Sequence, residues 1–231
     1  MRTLILVAHP EVANSPTQQF LKASLPGSAE LMWHDLSASV GPDGRFQREA
    51  ELALVRNAER LVLQFPFYWY SAPFILKQWQ EQTFTGEVEQ YHDLAGKELV
   101  VVLSLGQAET TYQAGASERF SLSELLRPYQ AFAEKLGWRY LPPLVIGQFS
   151  YLAEAEKQQL LIQYQQLLTL PQPASFSERG IWLAQYLRTL RLTDPQQQQQ
   201  LALVATQLQE QVAEYQDLQE QLREIRAGER D

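Results

Sequence analysis

Three segments of this chain, "TLILVA" at 3–8, "RLVLQF" at 60–65 and "KELVVVLSLG" at 97–106, are apolar almost without a break. A strand with one wet face alternates apolar and polar residues, whereas a strand covered on both faces does not. These runs are also far shorter than the roughly 18 residues a bilayer crossing requires. They predict parallel strands inside a sheet that carries helices on both sides.

The segments between them supply those helices. In "SPTQQFLKASL", Ser15 suits the N-cap, Pro16 the first helical position and Gln18 the third, a capping-box pattern. Helical spacing recurs at 46–59, at 71–84 with Pro73 in the first turn, and at 153–169. At 121–137 a helix is expected to kink at Pro128 and to end on Gly137. "ELMWHDL" (30–36) and "WRYLPPLVIGQF" (138–149) complete five strands. The prediction is an α/β fold, an open, doubly wound parallel sheet in which ligands sit beyond the carboxyl ends of the strands. Those ends are the loops "AHPEVANS", "FPFYWYSAP" and "SLGQAETTY".

The character changes after Pro171, which places one domain at 1–172 and a helical extension at 173–231. "PQPASFSERG" reads as a linker and "IWLAQYLRTLRL" as a short amphipathic helix. Then Leu201, Leu208, Tyr215 and Leu222 recur every seven residues, with Val204, Gln211, Leu218 and Ile225 as the companion series. That is the pattern of a coiled coil over 201–225, with a lone helix folded onto the domain as the alternative.

Composition removes several function classes. A net charge of −8 over 231 residues lacks the basic footprint of nucleic-acid binding or of docking to anionic lipid. The absence of cysteine excludes disulfides, thiolate metal sites and cysteine nucleophiles, and fits a reducing, cytoplasmic setting. There is no G-x-G-x-x-G after the first strand, no phosphate-binding glycine-lysine loop and no G-x-S-x-G. His9, His34 and His92 fall in separate elements.

What the residues permit is an anion site beside an aromatic shelf. The first-turn amides of the first helix can face an anion, with His9, Ser15, Thr17 and Gln18 as added donors. Phe67, Tyr68, Trp69 and Tyr70 crowd the second loop, where exposed rings mark a ligand or partner surface. Ser104, Leu105, Gly106 and Gln107 offer backbone approach and polar groups on the third. A phosphate grip next to flat-ring contacts describes a flavin site.

With those residues in view, the chain resembles the flavodoxin-like NAD(P)H:quinone oxidoreductase family, and within it the ancillary proteins of glutathione-gated potassium-efflux systems. The resemblance rests on "LILVAHPEVANSPTQQFL", "LVLQFPFYWYSAPFILKQWQEQTF", "GKELVVVLSLG" and "RPYQAFAEKLGWRYLPPLVI", and covers roughly 1–170. It implies FMN or FAD held by His9, Ser15, Thr17 and Gln18 at the phosphate end. It places Phe67 to Tyr70 and Ser104 to Gln107 along the ring. It implies hydride transfer from NAD(P)H, two-electron reduction of a quinone or other electrophile, and Tyr112 as the catalytic residue. A homodimer, and a place at the inner face of the membrane through a transporter partner, follow from the same resemblance. The chain departs from the family where Ser104-Leu105-Gly106-Gln107 stands for a common Thr-Thr-Gly-Gly. It departs again where Ser117-Glu118-Arg119 lacks a frequent histidine, and in the short segment "TGEVEQYHDLAG".

Overall fold

The computed structural model describes residues 1–228, and the chain divides into two compact units, Met1–Thr169 and Leu170–Asp231. The first is built on β1 (Thr3–Val7), β2 (Leu31–Asp35), β3 (Arg60–Pro66), β4 (Glu98–Leu105), β5 (Arg139–Tyr140) and β6 (Leu144–Gly147). All pairings are parallel, in the order β2-β1-β3-β4-β5, and β6 also pairs with β4. Every residue of β1 and β3 is buried, as their unbroken apolar runs require. The edge strand β2 is half-buried.

The expected fifth strand is divided in two. Pro142 and Pro143 cannot donate to the ladder, so β5 pairs with β4 at Glu98–Leu99 and β6 resumes only at Val102. A similar cause separates the helix expected at 121–137. Leu126, just before Arg127-Pro128, sits at φ −91°, ψ 0°. A capped first turn, α5 (Leu122–Leu125), is thus distinct from α6 (Arg127–Lys135). Gly137 ends this segment at φ +68°, a left-handed cap that suits glycine.

Around the sheet stand α1 (Pro16–Ala23), α2 (Leu36–Ser39), α3 (Arg48–Asn57), α4 (Phe74–Thr83) and α7 (Glu154–Thr169). The alternate residues of each central strand divide between two cores. Leu61, Leu63, Leu99 and Val101 pack with Trp79, Phe84, Phe132 and Trp138 on one face. Ile5, Val7, Val62, Val100 and Val102 pack with Leu21, Leu160, Tyr164 and Leu168 on the other. Burying a large aliphatic side chain is worth about 1.5–3 kcal/mol, so a core doubled in this way holds the strand ends firmly.

The second unit is a helical pair, α8 (Phe176–Thr189) and α9 (Pro195–Gly228), packed against each other. Helix α8 begins inside the segment that composition marks as a linker. Ser175 accepts from the amide of Glu178, and the Glu178 side chain accepts from the amide of Ser175, so a reciprocal cap starts the helix there.

Candidate active site

Parallel register brings the three loops to one edge of the sheet. Val7 lies opposite Gln64, and Pro66 opposite Ser104. The amide of Ala8 donates to the carbonyl of Gln64 at 2.8 Å, and that of Phe67 to the carbonyl of Ser104 at 2.9 Å. The three candidate segments are therefore stitched side by side just beyond their strands.

The first loop is built inward. His9 is buried, its Nδ1 accepts from the amide of Glu11 at 2.9 Å, and its carbonyl accepts from Ser37 Oγ at 2.8 Å. An acceptor at Nδ1 leaves the proton of a neutral imidazole on Nε2, a donor. Burial lowers the pKa of His9, outweighing the opposing pull of Asp35 and Glu11. Ser15 caps α1 by accepting from the amide of Gln18, and Thr17 is half-buried in the first turn. Gln18 departs from expectation. Its side chain is buried and its Oε1 accepts from Gln64 Nε2 at 2.6 Å. Gln64 Oε1 in turn accepts from Tyr164 Oη at 2.7 Å. A buried amide needs its partners, so Gln18 supports the loop from below instead of reaching into the cleft.

The second loop is built outward. Tyr68 and Ser71 exchange both backbone hydrogen bonds around a two-residue turn in which Trp69 and Tyr70 have φ of +48° and +62°. Two consecutive left-handed residues make a turn normally filled by Asn-Gly, and bulky aromatics there are strained. Such strain, of order 1–3 kcal/mol per residue, gathers at ligand sites. The turn leaves Trp69 94% exposed, with Tyr68 and Tyr70 half-exposed. Phe67, by contrast, faces the core, with its ring edge-on to Tyr112 at 5.9 Å.

The third loop is mixed. Leu105 is a core residue, so only its backbone is offered to the cleft. Ser104 is half-buried, while Gly106 and Gln107 are exposed. A side chain at Gly106 would meet nothing within 4 Å, so the surface over this loop is open. Tyr112 is half-buried, and burial raises the pKa of its phenol, with Glu118 adding to the effect. Glu118, in the segment that lacks the family's frequent histidine, accepts from Tyr70 Oη at 2.9 Å. It thereby links the aromatic turn to the segment after Tyr112. That bond also raises the pKa of Tyr70. Both phenols stay protonated near neutrality and can act as hydrogen-bond donors.

Beside the turn, a cleft of about 740 Å³ begins at Ser71–Pro73 and runs between α4 and α6, past Phe84, Tyr91 and Phe132. The short segment after α4 forms one wall through Gly86 to Glu89. This volume lies within the range of small-molecule sites.

A family model described as flavodoxin-like fold matches residues 1–168. The chain belongs to the flavodoxin-like family. An NADPH-quinone reductase from P. pentosaceus is similar at 45% identity and a TM-score of 0.68, over 74% of this chain and 99% of that one. A general stress protein 14 from Treponema denticola, solved in complex with FMN, is similar at 29% identity and a TM-score of 0.64, over 73% of this chain and 98% of that one. The glutathione-regulated potassium-efflux system ancillary protein KefG of Cronobacter sakazakii is 32% identical over 148 residues, 63% of this chain and 80% of that protein. All three similarities leave roughly a quarter or more of this chain unmatched. Among the described residues no helix is long and apolar enough to cross a membrane.

Proposed function

We propose that this flavodoxin-like protein is a flavin-dependent NAD(P)H:quinone oxidoreductase that binds FMN across the three loops. The observation that carries the reading is the strained Trp69–Tyr70 turn. It stands beside a capped helix start whose neighbouring histidine is buried and accepts at Nδ1, which leaves Nε2 as its donor. The similarity to an NADPH-quinone reductase and to an FMN complex supports the same assignment. When bound, the flavin supplies hydride acceptance from NAD(P)H and two-electron reduction of the quinone.

The chain's own residues bind, orient and shield. His9 Nε2, the Thr17 hydroxyl and the first-turn amides of α1 hold the phosphate, where the helix dipole favours negative charge. The backbone of Trp69 and Tyr70 and that of Ser104–Gly106 would hold the flavin ring system. The exposed Trp69 would shield the bound ring. Tyr112, its phenol kept protonated by burial, donates toward charge that develops during electron transfer. The aromatic cleft between α4 and α6 takes the acceptor, a quinone or a similar flat electrophile. A homodimer belongs to this reading, supported by the heptad series in α9.

The likeness to KefG supports a second reading, a flavin-binding subunit that docks on a potassium-efflux transporter at the membrane's inner face. Absorbance spectra separate the two. Purified protein should be yellow and should bleach on addition of NADPH, with quinone restoring the colour. A yellow protein that never bleaches favours the docking subunit, and one that refuses added FMN defeats both.

A further inference from the structure

Helix α9 of the α8–α9 pair carries two apolar stripes, and α8 covers one of them while reaching the other at Tyr215. The seam against α8 is narrow and made of small residues: Ala184 on α8, with Ala205 and Val212 on α9, is fully buried. Gly180 admits the contact, because a side chain there would come within 2.5 Å of Val212. Phe176, the first residue of α8, lies against Tyr215 at 5.0 Å between ring centres. Helix α8 has 14 residues and α9 has 34, so α9 continues beyond Tyr215 without α8 beside it.

The second stripe holds Leu203, Val204, Tyr215, Leu218, Leu222 and Ile225, each between 38% and 59% exposed. On an α-helical wheel it lies about a third of a turn from the α8 seam. It carries most of the seven-residue repeat, Val204, Leu218 and Ile225 in one series and Tyr215 and Leu222 in the other. Together these side chains expose roughly 500 Å² of apolar surface, as much as the largest patch on a typical monomer. Two copies face to face would cover somewhat less than twice that area, close to the roughly 1,000 Å² at which a specific interface begins.

We propose that this stripe is the contact for a second copy of the same chain, with the two α9 helices parallel. A parallel pair sets each repeat position against itself. Gln211 then meets Gln211, so two side-chain amides can satisfy each other, whereas an antiparallel pair would press Gln211 against an apolar residue. The positions flanking the stripe do not repel a like copy. In a parallel pair Glu214 faces Gln219 and Gln221 faces Arg226, with no like charges opposed. The contact deepens the homodimer of the flavin reading, on which it rests, but it uses no flavin-site residue, so its failure leaves the flavin assignment standing.

The chain contains no cysteine, so a single introduced thiol is an unambiguous reporter. In the full-length protein, Leu218→Cys should give a disulfide-linked dimer under mild oxidation. Glu220→Cys, on the opposite side of the same helix, should do so at least about 10-fold more slowly, as expected of a thiol turned away from the contact. Leu218→Glu with Leu222→Glu should weaken self-association while circular dichroism shows the helix intact, since Glu is a strong helix former. A wild-type chain that is monomeric by light scattering overturns the proposal, as do equal rates at 218 and 220 or no dimer from Leu218→Cys.

Discussion

The loop after β1 and the turn after β3 stand side by side at one sheet edge, yet they are held in opposite ways. The first rests on satisfied polar groups, with His9 buried and Gln18, Gln64 and Tyr164 bonded in a chain beneath it. The second holds two aromatic residues in left-handed backbone, and its rings point outward. The lesson is thermodynamic: in the first loop stability and ligand grip rise together, while in the second they oppose each other, as expected where strain serves binding.

The largest expected effect breaks the support beneath the first loop. Gln64→Leu strands both Gln18 and Tyr164, and should cost on the order of 3 kcal/mol, read by chemical unfolding of the flavin-free protein. A loss below about 1 kcal/mol would mean that this chain of bonds does not support the loop.

Trp69→Gly tests the other half of the contrast, and its two effects should differ in sign. Releasing left-handed backbone should stabilise the flavin-free protein by about 1 kcal/mol. Loss of the exposed ring should weaken FMN binding by about 10-fold in a fluorescence titration, since such contacts are worth about 0.5–1.5 kcal/mol. If stability falls along with affinity, the turn is ordinary structure and the contrast collapses.

The smallest effect is a pH dependence confined to the first loop. His9 has a folded pKa below the ordinary 6.5 because burial disfavours its charged form. The unfolded chain therefore takes up the proton more readily, and the stability that His9 contributes is complete above about pH 6.5. It declines as pH falls below that value and through the lower folded pKa. His9→Asn should flatten this part of the stability profile, whereas Trp69→Gly should leave it in place.

Much of the fold was legible because strand burial is written locally. The runs at 3–8, 60–65 and 97–106 lie on the central strands with little displacement. Two further signals are equally local. Pro142-Pro143 interrupts a strand, and the Ser175-to-Glu178 pair starts α8 within a segment of linker composition. The candidate site was legible in its loops but not in every side chain. Gln18, Phe67 and Leu105 lie in the segments expected to hold a ligand, yet each points inward. Glu118 acquires its place only by meeting Tyr70, 48 residues away.

By itself, then, the sequence of this chain determined a buried parallel sheet, the loops at its carboxyl edge and the seven-residue repeat of the last helix. These follow from periodicity and capping, which act over a few residues. Only the tertiary structure decided which loop side chains face the cleft, and which apolar stripe of α9 the helix before it covers. Facing is settled by neighbours brought from far along the chain, such as Gln64 beneath Gln18, and the burial of those neighbours leaves room for one orientation and not the other.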